Sequence, residues 1–340
     1  MTIKDIAKAS GYSISTVSRV LNNRRDVSPE AKKKIEEIVA AYHFVPNNNA
    51  KHLKQNASKT IAVMVKGTSN MLFANIVEEI QMMLEKTKYS AEVYYIDESE
   101  NEVEQALILS RERKPLGFLF LGGNPSSFEK QFELLEVPGV LVTNRGDSLN
   151  FPNLSSISVD DVTGGKMAVD YLIENGHRRI GVLGGDINVS YTSNERYQGC
   201  LKSFEEHQME FDHEKYYENC RFSFDSAYRA MIRLLEKAPD ITAVFAMADV
   251  TAIGAIRALK DKGLRVPKDI SVIGYDGIEL AEYYNPKLTT IKQPAKVLAT
   301  RGVEILFSFI ELQAGSMHEI VAVDLMIGES VQAIASGGKE

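Results

Sequence analysis

Ile14, Ser15, Ser18 and Arg19 share one face of a helical register within TIKDIAKASGYSISTVSRVL, residues 2–21. Small polar groups near a helix N-terminus, followed by an arginine, make a surface that fits a DNA major groove and can grip guanine bidentately. The elements that must present this face are read from its neighbours. Ile3, Ile6 and Ala7 recur at helical spacing, Thr2 stands in an N-cap position with Asp5 three residues on, and Gly11 ends the repeat. Ser13 offers a second N-cap, after which Val17, Val20 and Leu21 repeat the apolar stripe. This is a helix-turn-helix pattern. On pattern alone, a capped αα-hairpin with a solvated outer face reads the same way.

Charge separates the two readings. The chain has 340 residues, long for one domain. Residues 1–59 hold 11 Lys+Arg against 5 Asp+Glu, a net of +6, and the remainder carries −13 of the total of −7. A basic head on an acidic body directs the head toward an anionic polymer. Cys200 and Cys220 are too few for a disulfide framework and lie in no metal-ligand spacing, so buried thiols in a reducing cytoplasm are expected, with no metal and no cofactor. No apolar run approaches the roughly 18–20 residues of a membrane span, and no signal peptide is read at the start. A soluble cytoplasmic protein is expected.

Further along, Ser28 and Pro29 mark a helix start, and a third helix over 30–42 can close a core through Ile35, Ile38, Val39 and Tyr42. Lys32, Lys33 and Lys34 lie outside it, as phosphate contacts or as a solvated face. Pro46 breaks the chain, and residues 47–53 are too few for a helix stable in isolation. From Ser58 short apolar runs alternate with longer amphipathic ones. Strands are expected at 61–65, 91–97, 117–122 and 140–144, with helices at 71–87, 101–113 and 126–136. After Asp160 the pattern begins again. Helices near 162–175, 194–208, 224–237 and 250–262 alternate with strands near 180–184, 217–221, 243–247 and 270–275. This βαβ grammar predicts two doubly wound parallel-sheet halves, with a ligand cleft outside the carboxyl ends of the strands.

IKDIAKASGYSISTVSRVLNN, the segment PNNNAKHL, the run VDDVTGG at 159–165, LRVPKDISVIGYDG at 264–277 and PKLTTIKQP at 286–294 together resemble the lactose/galactose repressor (LacI/GalR) family. The resemblance covers essentially the whole chain. It implies an all-α helix-turn-helix head over 1–45, a hinge helix and linker over 46–57, and an effector-binding and dimerisation core over 58–340 similar to periplasmic sugar-binding proteins. The core's two α/β subdomains would be about 58–160 plus 290–325, and 161–289 plus the C-terminal end. The function implied is a repressor of a carbohydrate-utilisation operon, a homodimer on a palindromic operator, controlled by a small-molecule effector.

Carried over residue by residue, the base-reading positions fall on Ile14, Ser15 and Arg19, with Thr2, Ser13, Thr16, Ser18 and Asn22 completing the DNA-facing set, Ser13, Thr16 and Ser18 near phosphates. Ile14 departs from the polar or aromatic residue often found there; it can touch a thymine methyl but cannot hydrogen-bond. In the hinge, Asn47, Ala50 and Leu53 match the minor-groove segment, with Leu53 as a wedge between base steps. For the cleft, the resemblance implies Ser69, Phe73, Asn144, Thr192, Arg196, Phe222, Asp249 and Asp276. Aromatic rings that stack on a sugar face, and carboxylate, guanidinium and amide groups that take hydroxyls, suit that role. Arg196 and Asp276 are poorly explained by packing alone. Asp249 could instead cap the helix that follows it.

One departure bears on the ligand: Ala248-Asp249 stands where the family commonly has Asn-Asp. The effector could then be a different sugar, a sugar phosphate or something else. The polar SGGKE end has no leucine heptads, so a coiled-coil tetramer is not expected. Two other classes fit less well. An extracytoplasmic solute-binding protein has no use for a basic head. An α/β enzyme would show a GxxxxGK[ST], GxGxxG or GxSxG motif, all missing, and Asp160 and Asp161 read as hinge or cap groups.

Overall fold

The computed structural model describes residues 3–21, 27–41, 59–67 and 70–334. The chain divides into two units, Met1–Ala57 and Ser58–Glu340.

The first unit contains α1 (Ile3–Ser10), α2 (Ile14–Leu21) and α3 (Pro29–Ala41). α1 ends where Gly11 takes φ +76° and its amide donates to Ala7 O at 3.0 Å, a conformation that glycine alone adopts freely. Thr16 N donates to Ser13 Oγ at 3.1 Å, and Ala31 N to Ser28 Oγ at 3.3 Å, so both expected serine caps form. Ile6, Ala7, Val17, Val20 and Ile35 are buried together, with Ile38 and Val39 packed against them. Thr2, Asn22, Tyr42, Asn47, Ala50 and Leu53 lie outside the described residues, as does the side chain of Ile14.

The second unit holds two six-stranded sheets. The first contains β1 (Thr60–Lys66), β2 (Ser90–Ile96), β3 (Gly117–Leu121), β4 (Gly139–Thr143), β5 (Leu154–Val159) and β11 (His318–Val321), ordered β11-β5-β4-β3-β1-β2 with every pair parallel. The second contains β6 (Ile180–Gly184), β7 (Tyr217–Asn219), β8 (Ala243–Ala246), β9 (Ser271–Asp276), β10 (Thr289–Lys292) and β12 (Asp324–Met326), ordered β12-β10-β9-β8-β6-β7. Only β12, on β10, runs antiparallel there. The two sheets repeat one topology. β3, β4 and β5 are buried from end to end, as parallel strands covered on both faces must be.

The helices between them are α4 (Met71–Glu85), α5 (Glu102–Glu112), α6 (Pro125–Gln131), α7 (Asp161–Glu174), α8 (Tyr191–Glu206), α9 (His213–Tyr216), α10 (Phe224–Lys237), α11 (Asp249–Asp261), α12 (Glu279–Tyr283) and α13 (Ala295–Leu312). The chain passes between lobes after β5, after β10 and after β11. The expected boundary at 290 needs correction. β10 pairs with β9 from Thr289↔Ile273 to Lys292↔Asp276, which puts 290–292 in the second lobe, and β12 returns there too.

β5 was not expected as a strand, because LSSISV lacks an apolar run. Its serines are nonetheless buried, and neighbouring segments satisfy two of them. Met317 N donates to Ser155 Oγ at 2.8 Å, and Gly146 N to Ser156 Oγ at 3.1 Å.

Candidate effector cleft and DNA-facing helix

A cavity of about 550 Å³ is lined from the carboxyl ends of strands in both sheets, the position a doubly wound fold leaves open for ligands. Phe73, Asn144, Thr192, Arg196, Phe222 and Asp276 all reach its wall. Ser69 lies outside the described residues.

Arg196 is set in place by glycines. A Cβ at Gly165 would overlap the Arg196 carbonyl, and one at Gly199 the Val162 carbonyl, so the TGG run at 163–165 lets the backbones of α7 and α8 touch. From that depth Arg196 Nε donates to Asp161 Oδ1 at 2.8 Å and Nη1 to Met247 O. Its Nη2 is 3.8 Å from Asp276 Oδ1, and its plane lies 3.6 Å over the Tyr275 ring. Burial opposes the charge, but Asp161, Tyr275 and Asp276 outweigh it and raise the guanidinium pKa. Asp160 caps α7 through Thr163 N at 2.9 Å. The adjacent aspartates thus divide into a cap and a partner for Arg196.

Asp276 ends β9 with φ +113°, and Thr143 ends β4, the equivalent strand of the other sheet, with φ +87°. Non-glycine residues in the left-handed region cost about 1–3 kcal/mol each and collect at ligand sites. Both line the cavity. Burial pushes the Asp276 carboxyl up to about 7, against the pull of Arg196 and of Gln293, whose Nε2 donates to Oδ1 at 2.9 Å.

Asp249 is a correction. It lies outside the wall, fully buried, where Thr290 Oγ1 donates to Oδ1 at 2.6 Å and Ile278 N to Oδ2 at 2.8 Å. Nor does it cap its own helix, because α11 begins at Ala248 without a side-chain cap. Its carboxylate ties β10 to the turn after β9, and burial, then Asp276, raises its pKa well above the ordinary range. Ala248, the position of the departure, does line the cavity.

Among the described residues four polar contacts bridge the lobes at the cleft. Thr192 Oγ1 donates to Asn144 Oδ1 at 3.0 Å, and Asn124 Nδ2 to Val189 O at 2.9 Å. Arg221 reaches Asp97 at 2.9 Å and Glu98 at 3.1 Å. Sequence reasoning missed Asp97, Glu98, Arg221 and Gln293. Only Gln293 had a usable signal, its place before Pro294 in the run PKLTTIKQP that carries part of the resemblance. Cys200 and Cys220 are buried thiols, and burial raises both pKa values, that of Cys220 to about 12. Among the described residues no His, Cys, Asp and Glu group is arranged to hold a metal ion.

In the first unit, Ser15 and Arg19 are exposed on α2, while Thr16 and Ser18 are half-buried. The Ser13 hydroxyl lies 2.7 Å from Ser15 Oγ and 2.9 Å from Thr16 Oγ1, so the N-terminus of α2 presents a cluster of hydroxyls. Lys32, Lys33 and Lys34 are exposed along α3.

Residues 2–47 match the profile of bacterial regulatory proteins of the lacI family, and residues 169–331 that of a periplasmic binding protein-like domain. The chain is 37% identical over 335 residues to the HTH-type transcriptional regulator MalR of Clostridium butyricum, spanning 97% of this chain and 99% of that one. This chain belongs to the LacI family. As a LacI-family regulator it is also 33% identical over 311 residues to the ribose operon repressor of Haemophilus influenzae, across 91% of its length and 92% of that protein's. Among solved structures it is similar to the CelR–cellobiose complex, with a TM-score of 0.70 and 28% identity over 97% of this chain and 99% of that one. It is similar as well to the Lac repressor dimer bound to operator and the anti-inducer ONPF, with a TM-score of 0.72 and 27% identity over 98% and 99%. The LacI-family architecture, a helix-turn-helix head before two parallel-sheet lobes, is the one described above. No helix among the described residues is long and apolar enough to cross a membrane.

Proposed function

We propose that this regulator represses a carbohydrate-utilisation operon in the cytoplasm, as a homodimer on a palindromic operator, and that a carbohydrate in the cleft alters its operator affinity. The observation that carries the reading is the two-lobed cavity of about 550 Å³, within the usual size range of small-molecule pockets, where Phe73 and Phe222 offer rings and Asn144, Thr192 and Asp276 offer hydroxyl partners. Similarity to a transcriptional regulator solved with cellobiose and to a ribose operon repressor supports the ligand class. Similarity to a repressor dimer on its operator supports the partners.

In this reading Ile14, Ser15 and Arg19 read bases, Ser13, Thr16 and Ser18 stand near phosphates, and Asn47, Ala50 and Leu53 enter the minor groove. Segment 46–57 couples head to core, and the work of the protein is binding rather than catalysis. The test is selection of bound duplexes from a random pool by the full chain, with and without candidate sugars. Enrichment of a palindrome, with retention altered by a sugar, is expected. Enrichment of an asymmetric site, or indifference to every sugar, sinks the reading.

A further inference from the structure

The charged groups of the cleft decide which ligands it admits. Among the described residues three cationic side chains reach the wall, and each is already engaged. Lys66 Nζ is 2.6 Å from Glu102, a carboxylate 1% exposed. Arg196 is held by Asp161 and faces Asp276, and Arg221 by Asp97 and Glu98. Beyond the Asp97 and Glu98 carboxylates that hold Arg221, the same wall carries Glu100 and Asp186, while Asp276, its carboxyl raised to about 7 by burial, faces Arg196. Glu100 accepts from Asp97 N at 2.7 Å and Asp186 from Asn188 N at 2.9 Å, neutral donors that leave the negative charge in place.

Helix N-termini are the other common anion-binding device. Among the described residues four with a side-chain cap end at this cavity, at Asn70, Asn101, Asn124 and Ser190, all in the wall. Each cap turns its side-chain oxygen back on its own helix, accepting from Leu72 N at 2.9 Å, Val103 N at 2.9 Å, Ser126 N at 3.1 Å and Ser193 N at 3.3 Å. α11, a fifth, has Ala248 at its N-cap position in the wall with no side-chain cap, and the Asp249 carboxyl in its first turn is buried with its oxygens taken up by Thr290 and Ile278. A phosphate or carboxylate entering here would shed its water against negative charge, with no uncommitted cation among the described residues of the wall to replace it. Hydroxyls meet the opposite situation. Carboxylate and amide oxygens accept from them, and Gln293 Oε1, buried in this wall, has no partner within the described chain.

We infer that the cleft is built for an uncharged polyhydroxy ligand and excludes the phosphorylated and carboxylated forms of the same sugar. This rests on the reading of the cleft as the effector site.

The test is a thermal-shift and calorimetric panel on the full chain. It pairs glucose with glucose 6-phosphate and glucuronate, and ribose with ribose 5-phosphate, and adds maltose, cellobiose and sucrose. Binding confined to uncharged members, with any charged form at least about ten-fold weaker than its parent, is expected. A charged member that binds as tightly as its parent overturns the inference while sparing the carbohydrate reading. Silence across the whole panel overturns both. A second variant isolates the cause: Asp97→Asn with Glu98→Gln frees Arg221 and should narrow the preference for uncharged over phosphorylated ligand several-fold. An unchanged ratio refutes the charge argument.

Discussion

Arg196 Nε donates to Asp161 Oδ1 at 2.8 Å, tying α8 to the first residue of α7, with both side chains 5% exposed. The arginine is therefore structural as well as cavity-lining. Arg196→Ala strands a buried carboxylate, and a loss of about 3–5 kcal/mol in folding free energy is expected. Urea unfolding of Arg196→Ala, Asp161→Asn and the double variant checks it. Strict additivity of the two losses would show that the pair does not interact.

Asp249 and Ala248 are neighbours with opposite roles, so their substitutions should separate. Asp249→Ala removes the acceptor of Thr290 and Ile278 and should cost about 1–3 kcal/mol of stability. Ala248→Asn adds an amide to the cavity wall and should reorder the preference among sugars while operator affinity without effector holds. Thermal unfolding reads the first and calorimetric titration the second. A reordering caused by Asp249→Asn at full stability would return that residue to the ligand.

Thr192→Val deletes the 3.0 Å bond to Asn144 that spans the lobes. A neutral hydrogen bond is worth about 0.5–1.5 kcal/mol net, so affinity for the active sugar should drop about two- to ten-fold. Operator binding without sugar should be unchanged. Equal losses in both assays would show that the bond serves the fold and not closure.

Asp276 predicts a pH dependence. Burial raises its carboxyl to about 7, so between the ordinary carboxylate range and that value the folded chain keeps a proton that the unfolded chain has released. Stability then falls as pH rises through this window and levels off above it, with a slope of at most about 1.4 kcal/mol per pH unit from this group. Asp276→Asn should flatten the slope. Parallel stability curves for the two proteins between about pH 5 and 8 would refute the assignment.

For the head, Arg19→Ala should cost about 1–3 kcal/mol on the selected operator and almost nothing on random duplex, if the guanidinium grips guanine. Fluorescence anisotropy on both duplexes decides. Equal losses on the two would make Arg19 a phosphate contact, with a shallower salt dependence as its mark.

The sequence by itself determined what depends on near neighbours. Gly11, Ser13 and Ser28 stop and start helices through groups three or four residues away, and the stripe of Ile6, Val17, Val20 and Ile35 names the small core. GFLFL and GVLVT announce parallel strands because burial on both faces leaves no polar position. The tertiary structure alone decided what depends on partners far along the chain. Arg196 takes Asp161 at a separation of 35 residues, Asp249 takes Thr290 at 41 and Arg221 takes Asp97 at 124. No local period encodes such pairs, so a residue expected in the cleft could turn away from it, and the serines of β5 could be buried in the middle of a sheet. Hydrogen-bond demand is met wherever folding brings a partner, and that place is set by the packing of both lobes together.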